Sequence, residues 1–158
     1  MISHWEQGRA VVDSLIQTKR LARVPANREL ASEYILQAKA HLTTSASADG
    51  KDPVGEFQLA YDAARKALAS ILINQGLRPT SLGGHIAVYD AVRAQLDPPL
   101  GDAFRPFSWM RPLRNDSEYP SPDRPVAGRE DAHEARIAAR LMVEHAERLF
   151  ELMPVYGG

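Results

Sequence analysis

Apolar residues return at three- and four-residue intervals through most of this chain, with polar residues between them, the signature of amphipathic helices packed on one another. The clearest run starts at Asp52-Pro53, where an oxygen suited to capping free amides precedes a residue that gives up an amide donor. From there Phe57, Tyr61, Ala64, Leu68, Ile71 and Gln75 form one seam, and Gly76 stands where a helix ends, so the spacing predicts a central helix. Trp5, Val12, Leu15 and Ile16 predict a first helix that opens with the capping box Ser3-x-x-Glu6 and reaches Leu21, before Pro25. Asn27 is the expected N-cap of a second helix burying Leu30, Tyr34, Ile35, Ala38 and Leu42, and Thr43 to Lys51 reads as a frayed end plus a loop.

Leu77 to Gly84 is a connector rich in turn formers. His85, Tyr89, Val92 and Leu96 mark the next helix, which Asp97-Pro98-Pro99 stops. Phe104, Phe107, Trp109, Met110 and Leu113 belong to a shorter fifth stretch that Pro112 kinks or restarts, and the Pro-rich residues 120–125 form an exposed turn. Ala132, Ala135, Ala139, Met142, Ala146, Leu149 and Met153 place the last helix over 129–153, with Glu130 and Asp131 favouring its N-terminus. No stretch alternates with period two between turn signals, so no strand is expected. The expected fold is all-α, an antiparallel helical bundle of five to six helices. It forms a single domain over 1–158, in which 1–50 supplies N-terminal helices and 52–153 the core.

Composition narrows the chemistry. At 158 residues, 44% hydrophobic and 25% charged, the chain can bury a core without covalent staples, and the lack of cysteine excludes disulfides, thiolate metal sites and a thiol nucleophile. No run approaches the roughly 18 apolar residues of a membrane span, and the first residues lack a signal peptide's basic start and apolar stretch, so a cytoplasmic protein with no membrane partner is expected. The formal charge of −1 means that any nucleic-acid binding must come from a local basic patch.

No metal and no cofactor are expected. His85 has no His or carboxylate three or four residues on, and His133 and His145 stand too far apart on one helix to share an ion, so both are read as solvated. Gly83-Gly84 is not followed by the Lys and hydroxyl residue of a phosphate loop, and Ser14, Ser70 and Ser117 lack an activated nucleophile's surroundings. His85 has two readings: a capping or packing residue at a helix start, which its position favours, or a ligand or base.

The segment from Arg111 to Tyr119 concentrates the remaining candidate chemistry. Arg111 and Arg114 are three apart and share a helix face, and Glu118 is four after Arg114, within pairing distance. The bland reading is a surface ion pair followed by a helix stop at Asn115 or Asp116. The functional reading is a groove in which two planar cations, an amide and a phenol bind phosphate and stack a base. Five large apolar residues between Phe104 and Leu113 exceed what one bundle face needs, which points to a two-fold interface and a homodimer.

The residues Phe57 to Ala69, Gly84 to Tyr89 and Arg114-Asn115-Asp116-Ser117-Glu118-Tyr119 resemble, in order, three parts of the HEPN superfamily. These are its core helix with an acid-then-basic surface, the start of its following helix, and its R-N-x-x-x-H motif. The resemblance spans 52–153. It implies a homodimer whose motif residues meet across a cleft and cleave RNA without metal, as in toxin–antitoxin and phage-defence systems, with an antitoxin or a nucleotidyltransferase as a further partner. Arg114 and Asn115 match that motif and Tyr119 stands at its last position, so Arg114 and Tyr119 are the candidate catalytic residues, and Arg111, Asn115, Glu118 and His85 the candidate binding residues for RNA or a nucleotide. Tyr119 stands where the nucleases have His, and a phenol with a pKa near 10 is a poor base at neutral pH beside an imidazole near 6.5. Weak or absent ribonuclease activity is the expected consequence. The alternative is a non-enzymatic helical interaction protein that kept the fold without the site.

Overall fold

The computed structural model describes residues 5–157; Ser3, and with it the expected capping box, lies outside them. In chain order the elements are α1 (Arg9–Gln17), β1 (Leu21–Arg23), α2 (Arg28–Ser47), α3 (Pro53–Gln75), β2 (Leu77–Pro79), α4 (Gly84–Leu96), α5 (Gly101–Phe104), α6 (Phe107–Glu118) and α7 (Arg129–Leu149). Six helices of nine residues or more, and one single turn, make an all-α bundle.

Helix α3 is the axis. Asp52 caps it by accepting from the Gly55 amide at 3.0 Å, and Pro53 occupies its first turn. Gly76 ends it at φ 83, where a Cβ would stand 2.7 Å from the Val24 carbonyl oxygen, so a side chain there would meet both strain and a clash. All six seam residues predicted from spacing, Phe57 through Gln75, are buried. Alanines carry the closest packing: Ala60, Ala63, Ala64 and Ala67 on α3, Ala31 and Ala38 on α2, and Ala132, Ala135, Ala139 and Ala146 on α7 are buried, letting the backbones approach.

A buried polar network ties these three helices together at the start of α3. Arg136 of α7 donates to Glu56 at 3.0 Å and to the Ser45 hydroxyl of α2 at 3.3 Å, while Ser45 donates to the Glu56 carbonyl at 2.8 Å. The second Glu56 oxygen accepts from the Asp52 amide at 3.3 Å. Both carboxylate oxygens are therefore satisfied although the Glu56 side chain is only 3% exposed. At the other end of α3, Gln75 and Gln95 exchange side-chain hydrogen bonds at 2.7 and 3.1 Å.

Several expectations are corrected. The chain does contain strands: β1 and β2 pair antiparallel, Leu21 opposite Pro79 and Arg23 opposite Leu77. Three residues are too few for a period-two pattern, and the pairing joins distant parts of the chain. Helix α1 starts at Arg9 and stops at Gln17 instead of running to Leu21, because Lys19 turns the chain at φ 61 and Leu21 enters the strand. Within 43–51, expected to be a frayed helix end plus a loop, α2 stays regular through Ser47, held by the bond from buried Ser45 to Glu56, and the loop is confined to 48–51. Its buried face is Ala31, Ile35, Ala38, Leu42 and Ser45; Leu30 is 42% exposed and Tyr34 half-buried, because small residues face α3 at closest approach.

The fifth stretch restarts at Pro106, before α6, and Pro112 lies inside that helix. Phe104, Phe107 and Met110 are buried within this chain, and Trp109 packs on Phe57 with ring centroids 6.2 Å apart. The apolar surplus that suggested a two-fold interface is thus largely taken up internally. The last helix ends at Leu149 and not Met153, although Met153 is buried on the turn that follows. His145 is half-buried against Phe104, centroids 6.3 Å apart, whereas His133 is exposed as expected. No helix among the described residues is long and apolar enough to cross a membrane.

Candidate functional site

Tyr61 sits in the first half of α3, buried, with its hydroxyl in a part-buried hydrogen bond. Phe107, at the start of α6, stacks on that ring at 5.3 Å and 18°. The phenol oxygen and His85 Nδ1, at the start of α4, are 2.7 Å apart. Above the ring lies the Arg114 guanidinium, 5.7 Å from its centroid, a distance at which the ring quadrupole attracts a cation. Helices α4 and α6 thus converge on one phenol of α3.

The cations of this region act on the same pair. His85 is held below the usual histidine range, first by burial, then by the guanidiniums of Arg65, Arg114 and Arg111, with Asp62 opposing. Tyr61 is pushed up, first by burial, with the three arginines opposing. At neutral pH a neutral imidazole is therefore bonded to a neutral phenol among three guanidiniums. That is the protonation state a general base needs. Arg65 is 3.7 Å from Asp62, and Arg114 is 3.0 Å from Glu118. The Arg111 side chain makes no ion pair or hydrogen bond to any described residue, and the Arg114 Nε is buried without a partner. Three guanidiniums against two carboxylates leave positive charge in surplus.

The structure brings Arg111, Arg114 and His85 together, and keeps Asn115 and Glu118 beside Arg114, the Asn115 oxygen accepting from Arg114 at 3.5 Å. The Tyr119 side chain makes no hydrogen bond or ring contact with Arg111, Arg114 or His85: it is 74% exposed and lines a neighbouring surface pocket with Asn115, Asp116, Ser121, Asp123 and Arg124, which meets the group at Asn115. At about 3.6 residues per turn, a five-residue step carries a side chain roughly 140° around the axis from Arg114. Moreover α6 ends at Glu118, and Tyr119 leaves helical geometry at φ −121 and ψ 72. Sequence reasoning missed Tyr61 as a polar participant, because its helical spacing marked it as core, and missed Arg65 and Asp62 as its neighbours. The available signal was the four-residue step from Tyr61 to Arg65 and the three-residue step from Asp62 to Arg65, which place Arg65 beside each of them on α3.

A second polar group lies further along the α2–α3 seam. Lys66 donates to Gln37 at 2.8 Å and stands 2.7 Å from His41 Nε2. His41 is held low by burial and then by Lys66, with Asp62 opposing and Arg65 adding. No group of three or more His, Asp or Glu among the described residues is placed to hold a metal ion.

No family model, curated protein or solved structure matches this chain. What the site can do is therefore read from its geometry.

Proposed function

We propose that this chain binds the phosphates of RNA or of a nucleotide at the Arg65, Arg111 and Arg114 cluster, with neutral His85 as acid–base group of a weak, metal-independent ribonuclease. The observation that carries this reading is the 2.7 Å contact of His85 with Tyr61 beneath the Arg114 guanidinium. A planar guanidinium matches the geometry of phosphate oxygens, and the Arg111 side chain has no ion-pair or hydrogen-bond partner among the described residues to compete with one. In the tautomer proposed here Nδ1–H donates to the phenol oxygen and Nε2 keeps a free lone pair. That lone pair takes the proton of a ribose 2′-hydroxyl as its oxygen attacks the adjacent phosphorus. The 5′-oxygen leaves, takes a proton from solvent, and a 2′,3′-cyclic phosphate results, while the guanidiniums stabilise charge on the non-bridging oxygens. In this reading His85 replaces Tyr119 as the acid–base residue.

The resemblance to HEPN domains supports the same substrate class, and a role of the toxin–antitoxin or defence kind, a homodimer, and an antitoxin or nucleotidyltransferase partner belong to the proposal on that resemblance alone. The ion pairs of Arg114 with Glu118 and of Arg65 with Asp62 favour a second reading, a helical interaction protein whose arginines brace its helices. Titrating single-stranded RNA at about 50 and about 200 mM salt separates the two. The proposal expects affinity to fall with salt, Arg114→Ala to weaken binding with little change in melting temperature, and cleavage to survive chelator but not His85→Gln. A protein that binds no RNA, and in which Arg114→Ala lowers the melting temperature, is the interaction protein instead.

A further inference from the structure

His85 and Arg65, but not Tyr61, also line a cavity of about 430 Å³, within the size range of small-molecule sites. It lies where the segment before α2, helix α3, strand β2 and the start of α4 meet. Its walls are mostly apolar, with Ile73, Pro79 and Val88 among them, and Tyr34 adds a ring. Two arginines and a histidine line the same space: Arg65, Arg78 and His85. The Arg78 side chain is exposed and makes no ion pair or hydrogen bond to any described residue. The neutral polar groups are few, and the Asn27 side-chain oxygen already accepts from the Leu30 amide at 2.9 Å. A nucleobase brings several donors and acceptors on its edge, and apolar walls would leave them unpaired at a cost. An apolar ring carrying a single anionic group has no such penalty.

We propose that this cavity binds a small carboxylate bearing an apolar ring, the ring between Ile73, Val88 and Tyr34 and the carboxylate on Arg78 and Arg65. Because Arg65 and His85 also belong to the phosphate cluster, the bound carboxylate competes with RNA. That second half rests on the proposed function; the cavity's own ligand class does not. The site makes the domain responsive to a small organic acid.

Calorimetric titration of the full chain with indole-3-acetate tests the ligand class, with acetate, indole and adenosine 5′-monophosphate as separate arms. Indole-3-acetate should bind at least about tenfold more tightly than acetate or indole. Ala69→Phe, which places a ring in the cavity from α3, should remove that binding. Arg78→Ala, on the exposed rim, should weaken it several-fold at an unchanged melting temperature, and serves if the first variant does not fold. No indole-3-acetate binding at millimolar concentration, or binding indifferent to both variants, overturns the proposal. Nucleotide binding that is tighter than that of indole-3-acetate and is lost in Ala69→Phe overturns the ligand class. If indole-3-acetate binds but RNA does not, the proposed function fails and the cavity assignment stands; if both bind without competition, the shared use of Arg65 and His85 is wrong.

Discussion

Helix α3 carries two polar clusters that differ in one respect. At its start, Glu56 meets Arg136, Ser45 and the Asp52 amide, and both carboxylate oxygens have partners within a nearly closed interior. A turn further on, Tyr61 and His85 meet three arginines with too few carboxylates, an unpartnered Nε on Arg114, and an Arg111 side chain with no described ion-pair or hydrogen-bond partner. The first cluster is complete without a ligand, so its role is to join α2, α3 and α7. The second is incomplete in charge and in hydrogen bonds, and an anion would complete it. Satisfaction, more than residue type, separates a structural network from a site, since both contain an arginine beside a carboxylate.

The largest expected effect lies in the closed cluster. Arg136→Ala leaves Glu56 buried without its counter-charge and should destabilise the fold by about 3–5 kcal/mol in denaturant titration. The paired replacement of Glu56 by Gln and Arg136 by Met should recover much of that loss, since an uncharged pair carries no unbalanced charge. A cost under about 1 kcal/mol for Arg136→Ala would mean that water reaches Glu56 and that the two clusters are alike.

In the open cluster the order of effects reverses. Arg114→Ala should reduce RNA affinity about tenfold and lower the salt slope by about 1, with melting temperature nearly unchanged. Equal losses of stability in Arg114→Ala and Arg136→Ala would erase the distinction between the clusters.

A smaller effect follows from His85. Its folded-state pKa lies below that of the unfolded chain, so as pH falls through about 6.5 the unfolded state takes up the proton first. The fold therefore keeps its full stability above that pH and loses some on acidification toward the folded-state pKa. His41, lowered mainly by burial and Lys66, adds in the same direction. Melting temperature followed from pH 8 to pH 5 should decline less in His85→Gln than in the unmodified protein, and identical slopes would place His85 in water. The smallest effect expected is that of Tyr119→Phe, which should alter neither RNA binding nor cleavage; a loss of cleavage would return the catalytic role to Tyr119.

The sequence by itself determined the helices whose ends and faces are local matters. Asp52-Pro53 and Gly76 bound α3 by satisfying or ending its own backbone hydrogen bonds, and three- and four-residue spacing placed Phe57, Leu68, Met142 and Leu149 in the core. It also placed Arg111 and Arg114 on one face, and Glu118 within reach of Arg114. What depends on distant segments was decided only in three dimensions. The three-residue pairing of β1 with β2 has no local pattern to read, and Ser45 extends α2 because Glu56 accepts its hydroxyl. The same holds for the site. Tyr61 has the spacing of a core residue and is one, with its ring buried; only the arrival of α4 and α6 gives its hydroxyl a histidine partner and its ring a guanidinium. Tyr119, adjacent to the arginines in sequence, is carried away from them by helical rotation and by the end of α6. Periodicity reports which side of an element is buried, and packing alone reports which other element that side meets.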